Sequence, residues 1–154
     1  MNLALKAGWI MKNKLFRSEK FFVGASDTHG YGVFCTEDIK KGELIEECYY
    51  IIPDQPKWQD TDTKFCSYFF SLPFLQDDHE SFADENGGVA LYHVSRPICV
   101  LGCGMIFNHS KNNNVDWNIY EVSQIVSYRA NQNIKAGSEL FIKYNDYADF
   151  KNAR

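Results

Sequence analysis

Hydrophobic and polar positions alternate in short blocks from Phe21 to Ile52. The apolar-rich runs FFVGA, YGVFC and ELIEECYYII are separated by Ser26-Asp27-Thr28-His29-Gly30 and by Lys40-Lys41-Gly42. Runs of this length, bounded by glycine-bearing polar clusters, predict β-strands joined by tight turns. Pro53 and Pro56 close that block, and from Gly87 to Tyr147 the same texture returns. No stretch there sustains an amphipathic helical repeat beyond about three turns. Residues 36–45 (TEDIKKGELI) and 130–142 (ANQNIKAGSELFI) echo each other, with Ile-Lys-Lys/Ala-Gly followed closely by Glu-Leu. Each is expected to be a hairpin whose glycine supplies the turn. The pattern as a whole predicts a mainly β protein with a few short helices.

Charge separates one segment from the rest. Residues 54–86 carry Asp54, Asp60, Asp62, Asp77, Asp78, Glu80, Asp84 and Glu85 against Lys57 and Lys64 only, a net charge of −6, whereas the whole chain carries −4. The molecule's negative charge therefore resides in this acidic insert. Its aromatic residues, among them Phe65, Tyr68, Phe69, Phe70, Phe74 and Phe82, predict that it folds partly onto the body. With 154 residues, 45% hydrophobic and 23% charged, the chain suits a single domain spanning 1–154 and excludes a disordered or fibrous protein. The acidic balance argues against a surface built to neutralise phosphates, so no direct nucleic-acid partner is expected and a basic partner fits better. No run of 18 apolar residues suggests a membrane span, and Lys6, Lys12 and Lys14 interrupt the N-terminal segment before a signal-peptide core could form. The five cysteines (Cys35, Cys48, Cys66, Cys99, Cys103) are odd in number and contain no CxxC pair, which predicts reduced thiols and an intracellular protein.

Three segments hold residue types unusual in a plain core: Gly30-Tyr31-Gly32, Phe107-Asn108-His109-Ser110 running to Asn114, and Glu139-Leu140-Phe141-Ile142-Lys143-Tyr144. Two glycines around Tyr31 uncover backbone amides and carbonyls, so a ligand could approach the main chain; a bare GxG is most often a structural turn. Asn108 and His109 follow Met105, Ile106 and Phe107 and so enter a buried region where donors and acceptors need partners. A satisfied core histidine is the bland reading. His93, Cys99, Cys103 and His109 lie in one stretch, but they lack the tight knuckle of a structural zinc site, and no metal is expected.

In order and spacing the three segments resemble the SET domain family of S-adenosylmethionine-dependent protein lysine methyltransferases. The resemblance covers about residues 21–147, includes the two Ile-Lys-x-Gly turns, and is strongest to small free-standing SET proteins over Leu101 to Ser110. It implies a β-clip fold with short twisted sheets and a pseudoknot-like threaded C-terminal segment. In that arrangement the segment carrying Tyr144 passes beneath the loop near Asn108. It also implies that Gly30, Tyr31, Gly32, Asn108 and His109 bind the cofactor, which leaves as S-adenosylhomocysteine, and that Tyr144 is catalytic. Methyl transfer from a sulfonium to an amine demands orientation more than strong acid or base chemistry, and a phenol oxygen at the end of a narrow channel supplies it.

The acidic insert occupies the place of the family's substrate-groove wall, so a lysine in a basic, histone-like peptide is the expected substrate. A solvated acidic loop is the competing reading. Several positions depart from the family pattern. Met105 replaces a common arginine, Asn113 a proline, Ile142 a second tyrosine, and Lys143 a small or acidic residue. These departures bear on cofactor affinity and methyl number, and they support an alternative in which the domain is inactive and serves as a protein-interaction module. The resemblance also leaves room for a homodimer that completes the lysine channel.

Overall fold

The computed structural model describes residues 14–52, 68, 70–71, 79–83, 89–93 and 97–144. Residues 1–13, most of the acidic segment 54–86 and the tail from Tyr147 to Phe150 lie outside the described residues, as do the expectations attached to them. Eleven strands occur among the described residues: β1 (Phe21–Ala25), β2 (Tyr31–Cys35), β3 (Leu44–Ile51), β4 (Phe70–Ser71), β5 (His79–Ala83), β6 (Val89–His93), β7 (Pro97–Val100), β8 (Asn108–His109), β9 (Val115–Tyr120), β10 (Ile125–Ala130) and β11 (Glu139–Ile142). The helical element described is a single 3-10 turn, Gly102–Met105. The protein is mainly β, and its first three strands fall on the three apolar runs.

The chain divides into two compact units, Met1–Ile51 with Val100–Arg154, and Ile52–Cys99. In the smaller unit β5 pairs antiparallel with β6 in unbroken register from His79↔His93 to Ala83↔Val89, and Phe70 of β4 pairs with Ile98. The larger unit carries all three motif segments. Its first sheet runs β1-β2-β11-β8, and in its second β10 lies between β3 and β9. Alternation explains the faces of β9, where buried Val115 and half-buried Trp117 and Ile119 alternate with exposed residues, whereas the central β10 is buried at five of six positions. Val33, Ile45, Tyr50, Phe107, Val115, Val126, Tyr128, Leu140 and Ile142 are all at or below 1% exposure and form the core between these sheets. Each such side chain contributes about 1.5–3 kcal/mol by leaving water.

The two echoing turns are not hairpins. Residues 36–43 lead from β2 to β3, and residues 131–138 from β10 to β11, so each crosses from one sheet to the other. The two turns pair with one another instead. Ile39 and Ile134 exchange both backbone hydrogen bonds (2.9 and 2.8 Å), the Asn133 side chain accepts from Lys41 N–H (2.9 Å), and Asp38 accepts from Ala136 N–H (3.0 Å). Gly42 N–H donates to Ala130 and Gly137 N–H to Cys35, at the ends of β10 and β2. A hairpin needs its two strands side by side in one sheet. Here the isoleucines are only 2% and 4% exposed, and burying them together at the seam fixes the crossover geometry.

Candidate active site

The first wall of the site is the β1–β2 connection. Ser26 N–H donates to Gly30 O (2.9 Å), and Ser26 Oγ accepts from Thr28 N–H (3.0 Å), so one serine closes the turn from both sides. Its hydroxyl also reaches the Glu139 carboxylate at 2.9 Å from either oxygen. Asn108 Nδ2 donates toward Glu139 Oε1 (2.7 Å), Ser26 Oγ (3.1 Å), His29 O (3.2 Å) and Tyr31 O (3.2 Å). An amide has two donor hydrogens, so those four acceptors share them and the group is fully engaged. Gly32 stands against this cluster: a Cβ there would overlap the Glu139 carboxylate and come within 3.1 Å of Asn108 Nδ2. The GxG motif is thus a close approach between β2 and β11 at its second glycine. At its first, Gly30 (φ +53°) faces open space, and the neighbouring Tyr31 is 69% exposed.

The second wall is the parallel pair β8–β11, with Phe141 opposite Asn108 and Ile142 opposite His109. A two-residue parallel pair is weak by itself, and side chains complete it. Buried Asn114 acts as a substitute strand: Nδ2 donates to Glu139 O (2.9 Å) and Oδ1 accepts from Phe141 N–H (2.8 Å). Ser110 N–H donates to Ile142 O (3.0 Å), and Trp117 Nε1 to Lys143 O (2.9 Å). Tyr144 is then held at both ends. Its N–H donates to His109 Nδ1 (3.0 Å), its hydroxyl donates to Phe107 O (2.7 Å), and its ring lies 5.1 Å from the His109 imidazole at a 40° tilt.

The structure therefore gathers Gly30, Tyr31, Gly32, Asn108, His109 and Tyr144 around one continuous network. Asn108 joins the GxG turn to β11, and His109 joins β8 to Tyr144. Ile142 is buried in β11 and Asn113 donates to Val115 O and to Asp116. Lys143 is exposed. Sequence reasoning missed Ser26, the Phe107 carbonyl and Trp117. Ser26 had a readable signal, since serine opening a polar turn caps its own backbone. A carbonyl selected by a tyrosine 37 positions away has no local signal.

A SET domain model matches residues 30–145, well over half of the chain, and the chain belongs to the SET domain family. Among solved structures it is similar to a Plasmodium falciparum protein assigned as a histone methyltransferase. The TM-score is 0.56 at 24% identity, over 85% of this chain and 97% of that one, a likeness of fold. It is also similar to ctPRC2 solved in an autoinhibited conformation bound to S-adenosylmethionine, with a TM-score of 0.54 at 25% identity over 84% of this chain and 15% of that one. No curated protein matches the sequence.

Proposed function

We propose that this protein is an S-adenosylmethionine-dependent protein lysine methyltransferase acting on a lysine in a basic, histone-like segment. The observation that carries the reading is the Tyr144 phenol, fixed to the Phe107 carbonyl at 2.7 Å within a SET framework. The turn at Gly30 and Tyr31 is exposed, with nothing within 4 Å of a Cβ on Gly30, and leaves room for a ligand beside it. Gly30, Tyr31, Gly32, Asn108 and His109 would hold the cofactor there, with Asn108 acting by shaping the turn. When bound, S-adenosylmethionine supplies the electrophilic methyl group, and S-adenosylhomocysteine is its product; a structure similar to this chain, ctPRC2, was solved with S-adenosylmethionine.

What the chain contributes is orientation. A lysine amine with a pKa near 10.4 is neutral in about one molecule per thousand at pH 7.5, and an apolar channel raises that fraction. Because the Tyr144 hydroxyl gives its proton to Phe107, its oxygen acts as an acceptor. An amine N–H directed at it leaves the nitrogen lone pair for the methyl group, and fixing that direction converts a loose encounter into an oriented one. We read residues 1–154 as one SET domain, with the Tyr144 segment threaded beneath the loop at Asn108, and the net charge of −6 over residues 54–86 favours a basic substrate. No helix among the described residues is long and apolar enough to cross a membrane. Cys35, Cys48, Cys99 and Cys103 are free thiols, and on that ground we place the protein inside the cell.

Calorimetric titration with S-adenosylmethionine and S-adenosylhomocysteine tests the reading. Binding to the wild type that is lost in Asn108→Ala, with strand content retained by circular dichroism, supports it. No binding of either ligand at millimolar concentration overturns it and favours the inactive interaction module.

A further inference from the structure

The carbonyl that holds Tyr144 is itself placed by a row of polar side chains, of which Glu46 and Tyr128 are buried and Trp117 is half-buried. Glu46 of β3, Tyr128 of β10 and Trp117 of β9 occupy one register line across three strands, Tyr128 pairing with Glu46 on one side and Trp117 on the other. Residues on such a line share a face. Cys48 lies two positions from Glu46 on the same strand and so on the same face. The Gly102–Met105 turn rests on this row and leads through Ile106 to Phe107. Its backbone is bonded from below by the Tyr128 hydroxyl, which donates to Gly104 O (3.3 Å), and Glu46 and Cys48 close on the turn at Gly102, where a Cβ would come within 3.2 Å of Glu46 Oε1 and 3.4 Å of Cys48 Sγ. Trp117 at the far end holds Lys143 O.

Space at this contact is closely fitted. A Cβ on Gly104 would come within 2.7 Å of Tyr128 Oη and 2.5 Å of Val100 Cγ1, so only glycine lets the turn settle onto the phenol. The Tyr128 ring, fully buried, stacks on the Phe107 ring with centroids 4.7 Å apart and planes 18° apart. Phe107 is thereby held by its ring on Tyr128 and by its carbonyl on Tyr144. Both aromatic contacts use groups on either side of one α-carbon, so a shift of the ring moves the carbonyl. Burial pushes the Tyr128 phenol well above its ordinary pKa, which keeps it a hydroxyl donor at neutral pH.

We propose that Tyr128 is a positioning residue for methyl transfer, setting the Phe107 carbonyl, and through it the Tyr144 phenol, by anchoring the Gly102–Met105 turn to the sheet. The inference rests on the reading of Tyr144 given above. It goes beyond that reading by placing the determinant of Tyr144's orientation on a buried strand away from the three motif segments.

The test compares Tyr128→Phe, which keeps the stacked ring and deletes the hydroxyl, with Ile39→Val, a core truncation at the seam of the two turns. Two readouts are used. The first is steady-state methyl transfer to a lysine peptide; the second is the 13Cζ resonance of Tyr144 in tyrosine-labelled protein, assigned by its loss in Tyr144→Phe. Tyr128→Phe is expected to lower kcat about tenfold, as a small misplacement of a reacting group does, to leave KM and cofactor affinity within about twofold, and to shift the Tyr144 resonance. Ile39→Val is expected to lower the melting temperature with kcat and the resonance unchanged. An unmoved resonance in Tyr128→Phe, or a kcat that follows melting temperature alike in both variants, overturns the proposal. A shifted resonance in a protein whose wild type transfers no methyl leaves the positioning role standing and removes the methyltransferase reading instead.

Discussion

The pair of crossing turns and the Gly102–His109 segment solve the same problem, that of fixing irregular backbone between two sheets, by opposite means. In the turns, Asp38 and Asn133 each cap a backbone N–H of the other turn from the surface, and Lys135 adds an exposed ion pair to Asp38 at 2.7 Å. In Gly102–His109 the bonding groups are Tyr128 and Asn108, at 0% and 7% exposure. Surface bonds exchange with water and contribute little net free energy, whereas a buried polar group left without its partner bears its full desolvation cost. The exposed polar bonds of the turns should therefore tolerate change, while the buried ones of the site segment should not.

Gly32→Ala attacks the buried side most directly, because the new methyl group would occupy the space of the Glu139 carboxylate. Overpacking against a hydrogen-bonded carboxylate is expected to cost at least about 3 kcal/mol, read as a large drop in the urea midpoint or as failure to fold. Asn114→Ala removes two bonds to the β11 backbone and leaves Glu139 O and Phe141 N–H short of partners. About 2–4 kcal/mol of stability should be lost in the same measurement. On the other side of the comparison, Asn133→Ala deletes one exposed bond to Lys41 N–H, and a loss of about 1 kcal/mol or less is expected. A loss as large as that of Asn114→Ala would erase the distinction between the two regions.

The pH dependence of stability separates them by sign. Bonding to Lys135, and then to Ala136 N–H, holds the Asp38 carboxyl below its ordinary range. Its stabilising contribution is present above the unfolded pKa and fades as pH falls through the folded value. Burial pushes Glu46 the other way, outweighing the Cys48, Arg17 and Cys103 contacts that favour its charge. Its contribution is complete below the unfolded pKa and is lost as pH rises through the raised folded value. Melting curves of Glu46→Gln should therefore gain on the wild type as pH rises above about 4.5, the ordinary glutamate value, whereas Asp38→Asn should lose ground as pH rises through the acid range. Equal pH profiles for Glu46→Gln and the wild type would contradict the buried-charge assignment.

The same contrast governs what the sequence discloses. FFVGA and YGVFC are readable as strands because their burial is set by residues within them, and the Ile-Lys-x-Gly turns are readable as turns because glycine and asparagine act locally. That the turns join different sheets was hidden, since the partner of Ile39 is Ile134, far along the chain. At the site the motif residues are visible as types at a spacing, and Asn108, His109 and Tyr144 do share one network. Their supports are not visible. Nothing near Tyr128 announces that its hydroxyl meets Gly104, nor does the run GMIF show that Phe107 offers its carbonyl to Tyr144. These bonds are chosen by the packing of strands distant in sequence, and only the assembled sheets bring them together.

The central claim, that Tyr144 held on the Phe107 carbonyl directs methyl transfer to a lysine, is tested most directly by mass spectrometry of a basic lysine peptide incubated with S-adenosylmethionine and either wild type or Tyr144→Phe. The account predicts methylated lysine with the wild type, and a rate at least about 100-fold lower in the variant with cofactor affinity retained. A wild type that binds cofactor and peptide yet methylates no lysine, or a Tyr144→Phe variant as fast as the wild type, would contradict it.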